Sequence, residues 1–318
     1  MEHTQPAVAK KNVSVKVKKR KYNKGVAFWC WLFVIPNLLL FALFQGWPIV
    51  ISWYYSMTDW SGLTATPDFI GLANFKELLN DSYFWNAYKN IFFYAIGTVP
   101  LQLIIGLIFA AILNNPRLKF ANIYRTLIFI PVVTSASIIG IIMGFIWSPN
   151  GGVNFLLMKL GFISAPIDFL GSMTWSMPTV IMVSIWMSVG INMIFWLAGL
   201  QGIPRELYEA AYIDGAGYLK TFFKITLPLL IPIGAVILLF NIAFSLRVFD
   251  LIKTLTDGGP FFATDVVSTY VYRHAFSGEV GQPRMGYANA AGLFFGFTVI
   301  IIMASLQLIK AKLKSAKY

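Results

Sequence analysis

Charge-free runs alternate with short polar segments along the chain. Six stretches longer than 20 residues contain no Asp, Glu, Lys or Arg. They lie between Lys24 and Asp59, Lys89 and Arg117, Arg125 and Lys159, Asp168 and Arg205, Lys224 and Arg247, and Arg284 and Lys310. About 20 apolar residues of helix cross the ~30 Å hydrocarbon core of a bilayer, so each run is long enough for one crossing. The third and fourth runs exceed 30 residues, but both include Pro/Gly/Asn/Ser loop sequence, as in Ser148–Asn154, and need hold only one crossing each. The pattern predicts an all-α polytopic membrane protein with six transmembrane helices near 28–50, 91–113, 127–147, 178–200, 228–246 and 289–309.

Composition narrows the class. Of 318 residues, 58% are hydrophobic and 12% charged, against about 25% charged in a soluble globular domain. Mean hydropathy is +0.69. A soluble enzyme, a disordered chain and a disulfide scaffold are excluded; the single cysteine, Cys30, can form no internal disulfide. The net charge of +12 sits at the chain ends and in short loops, not on one face, so nucleic acid is not an expected partner.

The same loops orient the chain. With the N-terminus placed inside, inner segments carry 18 Lys and Arg against 7 outside, while Asp and Glu number 4 inside and 9 outside. The positive-inside bias predicts both termini in the cytoplasm. Residues 1–24 form a basic tail with eight Lys or Arg, expected to fix topology and to be drawn to anionic lipid headgroups. The apolar segment after Gly25 is too long for a secretory h-region and has no convincing cleavage site, so it reads as an uncleaved first span. Residues 25–318 then make one membrane domain.

Two loops are patterned. In the outer loop, Leu72, Phe75, Leu78, Leu79, Phe84, Trp85 and Tyr88 suit an amphipathic helix lying in the interface. The inner loop 201–227 has mixed charge. Pro204 suits a first helical position, Glu206 the first turn, and Asp214, Gly215 and Gly217 a turn. This predicts a cytoplasmic helix–turn–helix, its second helix ending where the fifth span begins.

At this loop the chain resembles a known family. Glu209, Ala210 and Ala211, then Gly215, then Ile225, Leu227 and Pro228 match the EAA motif of binding-protein-dependent ABC importer permeases. Asp214, Gly215 and Ala216 agree with its sugar-transporting branch. Phe249, Asp250, Leu255, Thr256, Gly258, Gly259, Pro260 and Thr264 resemble the "FD…LT-GGP…T" signature of carbohydrate permeases, continued by Tyr270, Tyr272 and Phe276. Gly71, Leu72, Asn74, Phe75, Asp81, Phe84 and Trp85 resemble the outer "GL-NF" segment. The likeness runs from about residue 28 to 310, and is to the maltose-permease and glycerol-phosphate-permease type of subunit.

The resemblance implies a type I ABC importer permease fold in the cytoplasmic (inner) membrane of a prokaryote. It also implies four kinds of partner: a second homologous permease subunit, two ATP-binding subunits, an extracytoplasmic solute-binding protein and a carbohydrate. Glu209, Ala210, Ala211, Asp214 and Gly215 become the residues coupling the permease to the ATPase, with Glu209 offering a carboxylate to a basic group there. No G-x-x-x-x-G-K-[ST] run occurs, so ATP and Mg are expected on the separate ATPase chain and no cofactor on this one. The chain is expected to be a transport subunit, not an enzyme, with no catalytic residues.

The solute site is less marked. The spans lack Asp, Glu, Lys and Arg, which argues against a proton relay or an ion-coupling site. Neutral hydrogen-bonding groups with aromatics suit a sugar near the midplane. The candidates are Trp186, Ser188, Asn192, Asn241, Ser245 and Asn289, with Ser184, Phe195 and Trp196 beside them. Such residues also bond neighbouring helices. Gly140 with Gly144, and Gly292 with Gly296, are expected to pack helices together. His3 and His274 are isolated, so no metal site is expected. Asp250, Asp257 and Asp265 near Lys253 are read either as a solvated outer surface or as a dock for the binding protein. An oligosaccharide is the favoured solute. A non-sugar solute such as glycerol phosphate, and an ion-coupled secondary transporter, remain as alternatives.

Overall fold

The computed structural model describes residues 24–64, 66–277 and 281–315. The basic tail before Lys24 and the last residues, 316–318, lie outside them. The chain divides between Ile51 and Ser52 into two units. The first holds α1 (Lys24–Phe41), a π-helical turn (Ala42–Gly46) and the start of α2 (Trp47–Ser56). Together these make one apolar helical run, Phe28–Ser56, long enough to cross a membrane.

The second unit opens with a short ladder. A two-residue antiparallel ladder, β1 (Thr58–Asp59) against β2 (Asp68–Phe69), pairs Thr58 with Phe69 and Asp59 with Asp68. Asn74 anchors it, its amide donating to the carbonyls of Ser56 and Thr58 at 2.9 Å each. The patterned outer segment is not one interfacial helix. It breaks at Asp81 into α3 (Ala73–Asn80) and the start of α4 (Ser82–Leu113). Asp81 caps α4, its Oδ1 accepting from the backbone N–H of Tyr83 at 2.8 Å and of Phe84 at 3.3 Å. A carboxylate there satisfies orphan donors and meets the positive end of the helix dipole. Phe84, Trp85 and Tyr88 therefore begin the second span.

The third span is the largest departure from expectation. It breaks at Thr134 and Ser135 into α5 (Ala121–Val133) and α6 (Ala136–Ile146), bent by 100°. Pro131 cannot donate to the carbonyl one turn back, and Thr134 and Ser135 are extended at ψ 142° and 134°. Hydropathy alone cannot register such a break, because every residue around it is apolar or small.

There follow α7 (Gly152–Lys159), α8 (Ser176–Gln201), α9 (Arg205–Ile213), α10 (Tyr218–Thr221), α11 (Leu227–Ser245), α12 (Asp250–Leu255), α13 (Val267–Phe276) and α14 (Met285–Ser315). Among the described residues five helical runs can cross a membrane: Phe28–Ser56, Ser82–Leu113, Ser176–Gln201, Tyr218–Ser245 and Met285–Leu308. The bent α5–α6 pair makes a sixth if counted as one span. The expected second helix of the inner loop is thus continuous with the fifth span, joined through a π-helical turn, Phe222–Thr226. That turn lies directly before Pro228, whose ring and missing N–H disturb regular hydrogen bonding one turn back.

Two apolar clusters hold the second unit. One, which takes in α3 and α13, gathers Leu78, Phe84, Ile91, Met177, Val180, Ile252, Tyr270 and Tyr287. The other, toward the inner loop, gathers Ala110, Leu113, Met193, Trp196, Leu200, Leu230 and Ile237. Gly106 lets α4 approach α8 closely: a β-carbon there would lie 2.8 Å from that of Asn192. Gly140 does the same for α6 on α12, where a β-carbon would meet Thr254 Oγ1 at 1.9 Å. Gly144, Gly292 and Gly296 have no such neighbour within 4 Å. Their expected packing role finds no partner among the described residues.

Candidate functional site

The inner loop builds a projecting helix. Pro204 stands just before α9 in an extended conformation (φ −57°, ψ 134°), and Glu206 occupies the first turn. The C-terminus closes in a Schellman motif. The Gly215 N–H donates to Tyr212 O at 3.0 Å and the Ala216 N–H to Ala211 O at 2.9 Å. Gly215 has φ +71°, a left-handed conformation that a side chain disfavours. Asp214 lies at the C-cap.

The two faces of α9 differ. Ala211 is buried and Tyr208 half-buried, the Tyr208 hydroxyl lying 3.2 Å from Thr226 Oγ1 at the foot of α11. Glu206, Glu209, Ala210 and Asp214 are exposed, and Tyr212 and Ile213 are 83% and 84% exposed. Ala210 and Ala211 were expected to face the same partner. Ala210 is exposed, whereas Ala211, about 100° further round the helix, is buried within the chain. Tyr218, Leu219 and Phe223 extend the exposed apolar surface beyond the turn.

Among the polar span residues, Asn192 and Asn241 are joined. The Asn192 amide donates to Asn241 Oδ1 at 3.1 Å, and the Asn241 amide donates back to Asn192 Oδ1 at 2.6 Å. Their remaining N–H groups donate to Ser188 O at 3.1 Å and Ile237 O at 2.8 Å. Both side chains are buried, and all four amide hydrogens are used between α8 and α11. Ser245 and Asn289 donate to carbonyls of their own helices, Ile242 O and Met285 O. Ser184 Oγ lies 2.6 Å from the Tyr94 hydroxyl, and the Trp196 indole donates to Leu103 O at 3.0 Å. Trp186 is different. It is half exposed and lines a groove of about 500 Å³ with Val189, Phe109, Pro131, Thr134 and Met143, at the break in the third span.

Sequence reasoning missed a polar hub where α3, α4, α13 and α14 meet. Asp81 Oδ2 accepts from the hydroxyls of Tyr270 and, at 2.8 Å, Tyr287. His274 lies over Tyr270 with ring centres 4.2 Å apart and contacts the Tyr270 carbonyl through Nδ1 at 3.0 Å. Arg284 donates twice to the Glu77 carboxylate, at 2.6 Å for each oxygen. Burial raises the Asp81 pKa, but the tyrosine and backbone hydrogen bonds outweigh it and hold the carboxyl below its ordinary value of 3.8. The Arg284 hydrogen bonds lower Glu77, and burial lowers His274. The only signal in the sequence was the family pattern at Asp81 and Tyr270, which carries no pairing information.

The outer acidic residues also separate. Lys253 pairs with the exposed Asp257 at 2.6 Å. Asp265 is not a solvated surface residue: it is fully buried, paired with Arg273 and bonded by the Thr269 hydroxyl at 2.6 Å.

The fold is thus a multi-span helical unit with a broken third span and a projecting α9. Residues 102–315 match the family described as "binding-protein-dependent transport system inner membrane component", and the chain belongs to it. It is 37% identical to a probable ABC transporter permease protein, YurN, of Bacillus subtilis, over 89% of this chain and 94% of the relative. It is 33% identical to the lactose transport system permease protein LacF of Rhizobium radiobacter, over 88% and 92%. A solved bacterial alginate ABC transporter, in complex with an alginate pentasaccharide-bound periplasmic protein, superposes with a TM-score of 0.79 at 25% identity, covering 91% of this chain and 96% of that one. The chain is thus a multi-pass membrane protein of an inner-membrane ABC transport system.

Proposed function

We propose that this chain is one of two homologous permease subunits of an importer that carries an oligosaccharide handed over by an extracytoplasmic binding protein. Two separate ATP-binding subunits, holding ATP and Mg, would drive it. The observation that carries this reading is α9: seated by Ala211 and Tyr208 on the fifth span, with Glu209, Ala210, Tyr212 and Ile213 turned outward. A helix seated on its own span can pass rigid-body motion to it, and exposed apolar groups beside a carboxylate suit a groove with a basic rim. ATPase closure would push on α9, and α11 would carry the movement into the membrane. Both termini lie on the ATPase side in this reading, and residues 25–318 act as one membrane domain.

For the solute, the names of similar proteins point to carbohydrates. The free indole of Trp186 over its groove offers a ring platform for a sugar face, and Ser188 stands one half-turn on. Asn192 and Asn241, with their amide hydrogens paired, hold α8 and α11 together; Ser245 and Asn289 each donate one hydrogen within their own helix and keep an acceptor oxygen for a solute hydroxyl. Mild-detergent purification of the tagged chain from its native membrane, with mass spectrometry, tests the assembly. A second six-span permease and an ATPase are expected, and recovery of the chain alone would contradict the reading.

A further inference from the structure

The turn between α12 and α13 combines a rigid backbone with one unsupported aromatic ring. Phe261 and Phe262 both have positive φ, 47° and 61°, a region costly for any residue with a bulky side chain. For Phe262 the surroundings explain the choice. Its ring lies under the Arg273 guanidinium at 4.5 Å and edge-on to Tyr83 at 5.1 Å. Its carbonyl accepts from the Asn86 and Asn90 amides at 2.8 and 3.1 Å. Phe261 has no such return: its side chain is 84% exposed and makes no ring contact among the described residues.

The backbone around it is fixed. Thr264 Oγ1 donates to Gly259 O at 2.6 Å, the Thr264 N–H to Gly258 O at 3.2 Å and the Ala263 N–H to Pro260 O at 2.9 Å. Thr264 and Asp265 beneath are fully buried. Folding alone would favour Gly or Asn in a left-handed position, and a polar side chain in an exposed one. A strained position carrying an exposed aromatic, with no intramolecular gain, points to an external use.

We propose that Phe261 is a preorganised docking finger for the extracytoplasmic solute-binding protein, entering an apolar pocket of that partner. The inference rests on the reading above that such a protein delivers the solute. Three observations select this occupant. One span, α11, separates the turn from α9, so the turn lies on the membrane face opposite the ATPase joint. Asn86 and Asn90 hold it at the polar end of α4, beside the exposed Lys253–Asp257 pair, above the apolar part of the span. The superposing alginate transporter is described with a periplasmic protein bound. A lipid anchor needs no fixed backbone, whereas a shaped protein pocket gains from a ring whose position is already set.

The test uses the whole transporter, reconstituted with its binding protein. A photoreactive benzoylphenylalanine at position 261 should crosslink to the binding protein. Phe261→Ser should raise the binding-protein concentration needed for half-maximal ATPase stimulation by roughly tenfold or more, as loss of an interface anchor does, with basal ATPase and subunit composition unchanged. Crosslinks only to lipid or to the second permease, or an unchanged half-maximal concentration in a stimulated transporter, would overturn the inference. A wild-type transporter that ignores the binding protein would instead overturn the reading on which it rests.

Discussion

The amides of Asn192 and Asn241 close a two-way hydrogen bond between α8 and α11, at 3.1 and 2.6 Å, with Gly106 of α4 packed against the Asn192 β-carbon. Removing one partner leaves one N–H and the Oδ1 of the other amide buried without a partner, which costs about 1–3 kcal/mol. Asn192→Ala or Asn241→Ala should therefore lower the midpoint of thermal unfolding in detergent. The double alanine variant should lose less than the sum, since the second change removes the orphan. Additive losses would mean the two side chains act independently.

Glycine packing separates into two kinds. Gly140→Ala forces a methyl onto Thr254 and the Leu251 carbonyl, and overpacking of this kind costs about 1–3 kcal/mol. Gly144→Ala, with open space at the same helix face, should leave the stability of the isolated chain unchanged. Thermal unfolding of the two variants side by side checks the contrast.

Gly215→Ala meets no atom within 4 Å, so its whole effect comes from φ +71°. A β-carbon in that conformation costs about 1 kcal/mol. Uptake should fall while the amount of folded protein in the membrane holds. Full uptake would mean that the end of α9 tolerates another geometry.

Acid should loosen the polar hub around Asp81 in two windows. His274 is held neutral by burial below its ordinary 6.5, so the unfolded chain binds its proton first, and stability falls as pH drops below about 6.5. Glu77 and Asp81, lowered from 4.5 and 3.8, contribute fully above those values and are lost as pH falls through their folded pKa. Unfolding midpoints between pH 8 and pH 3 should show both falls. His274→Gln should remove the upper one, and its persistence in that variant would assign it elsewhere.

Much of this was legible in the sequence because hydrophobic length and loop charge are local quantities. The spans, the start of α9 at Pro204 and its end at Gly215 could be read from consecutive residues. What escaped was set by contacts across the chain. The bend at Thr134 sits inside an apolar run, Asp265 is buried and paired with Arg273 one element on, and Asn192 found its partner 49 positions away. Asn192 and Asn241 could be read from their chemistry alone as hydrogen-bonding groups of the spans, but not as partners of each other.

The exposed Glu209 of α9 tests the central claim most directly. ATP-driven, binding-protein-dependent uptake should be measured in proteoliposomes holding the complete transporter, with Glu209→Lys beside the wild type. Because Glu209 is exposed, the variant should fold and insert normally, while charge reversal at the ATPase joint lowers uptake by about tenfold or more. Uptake at the wild-type rate, with the charge reversed, would contradict the account.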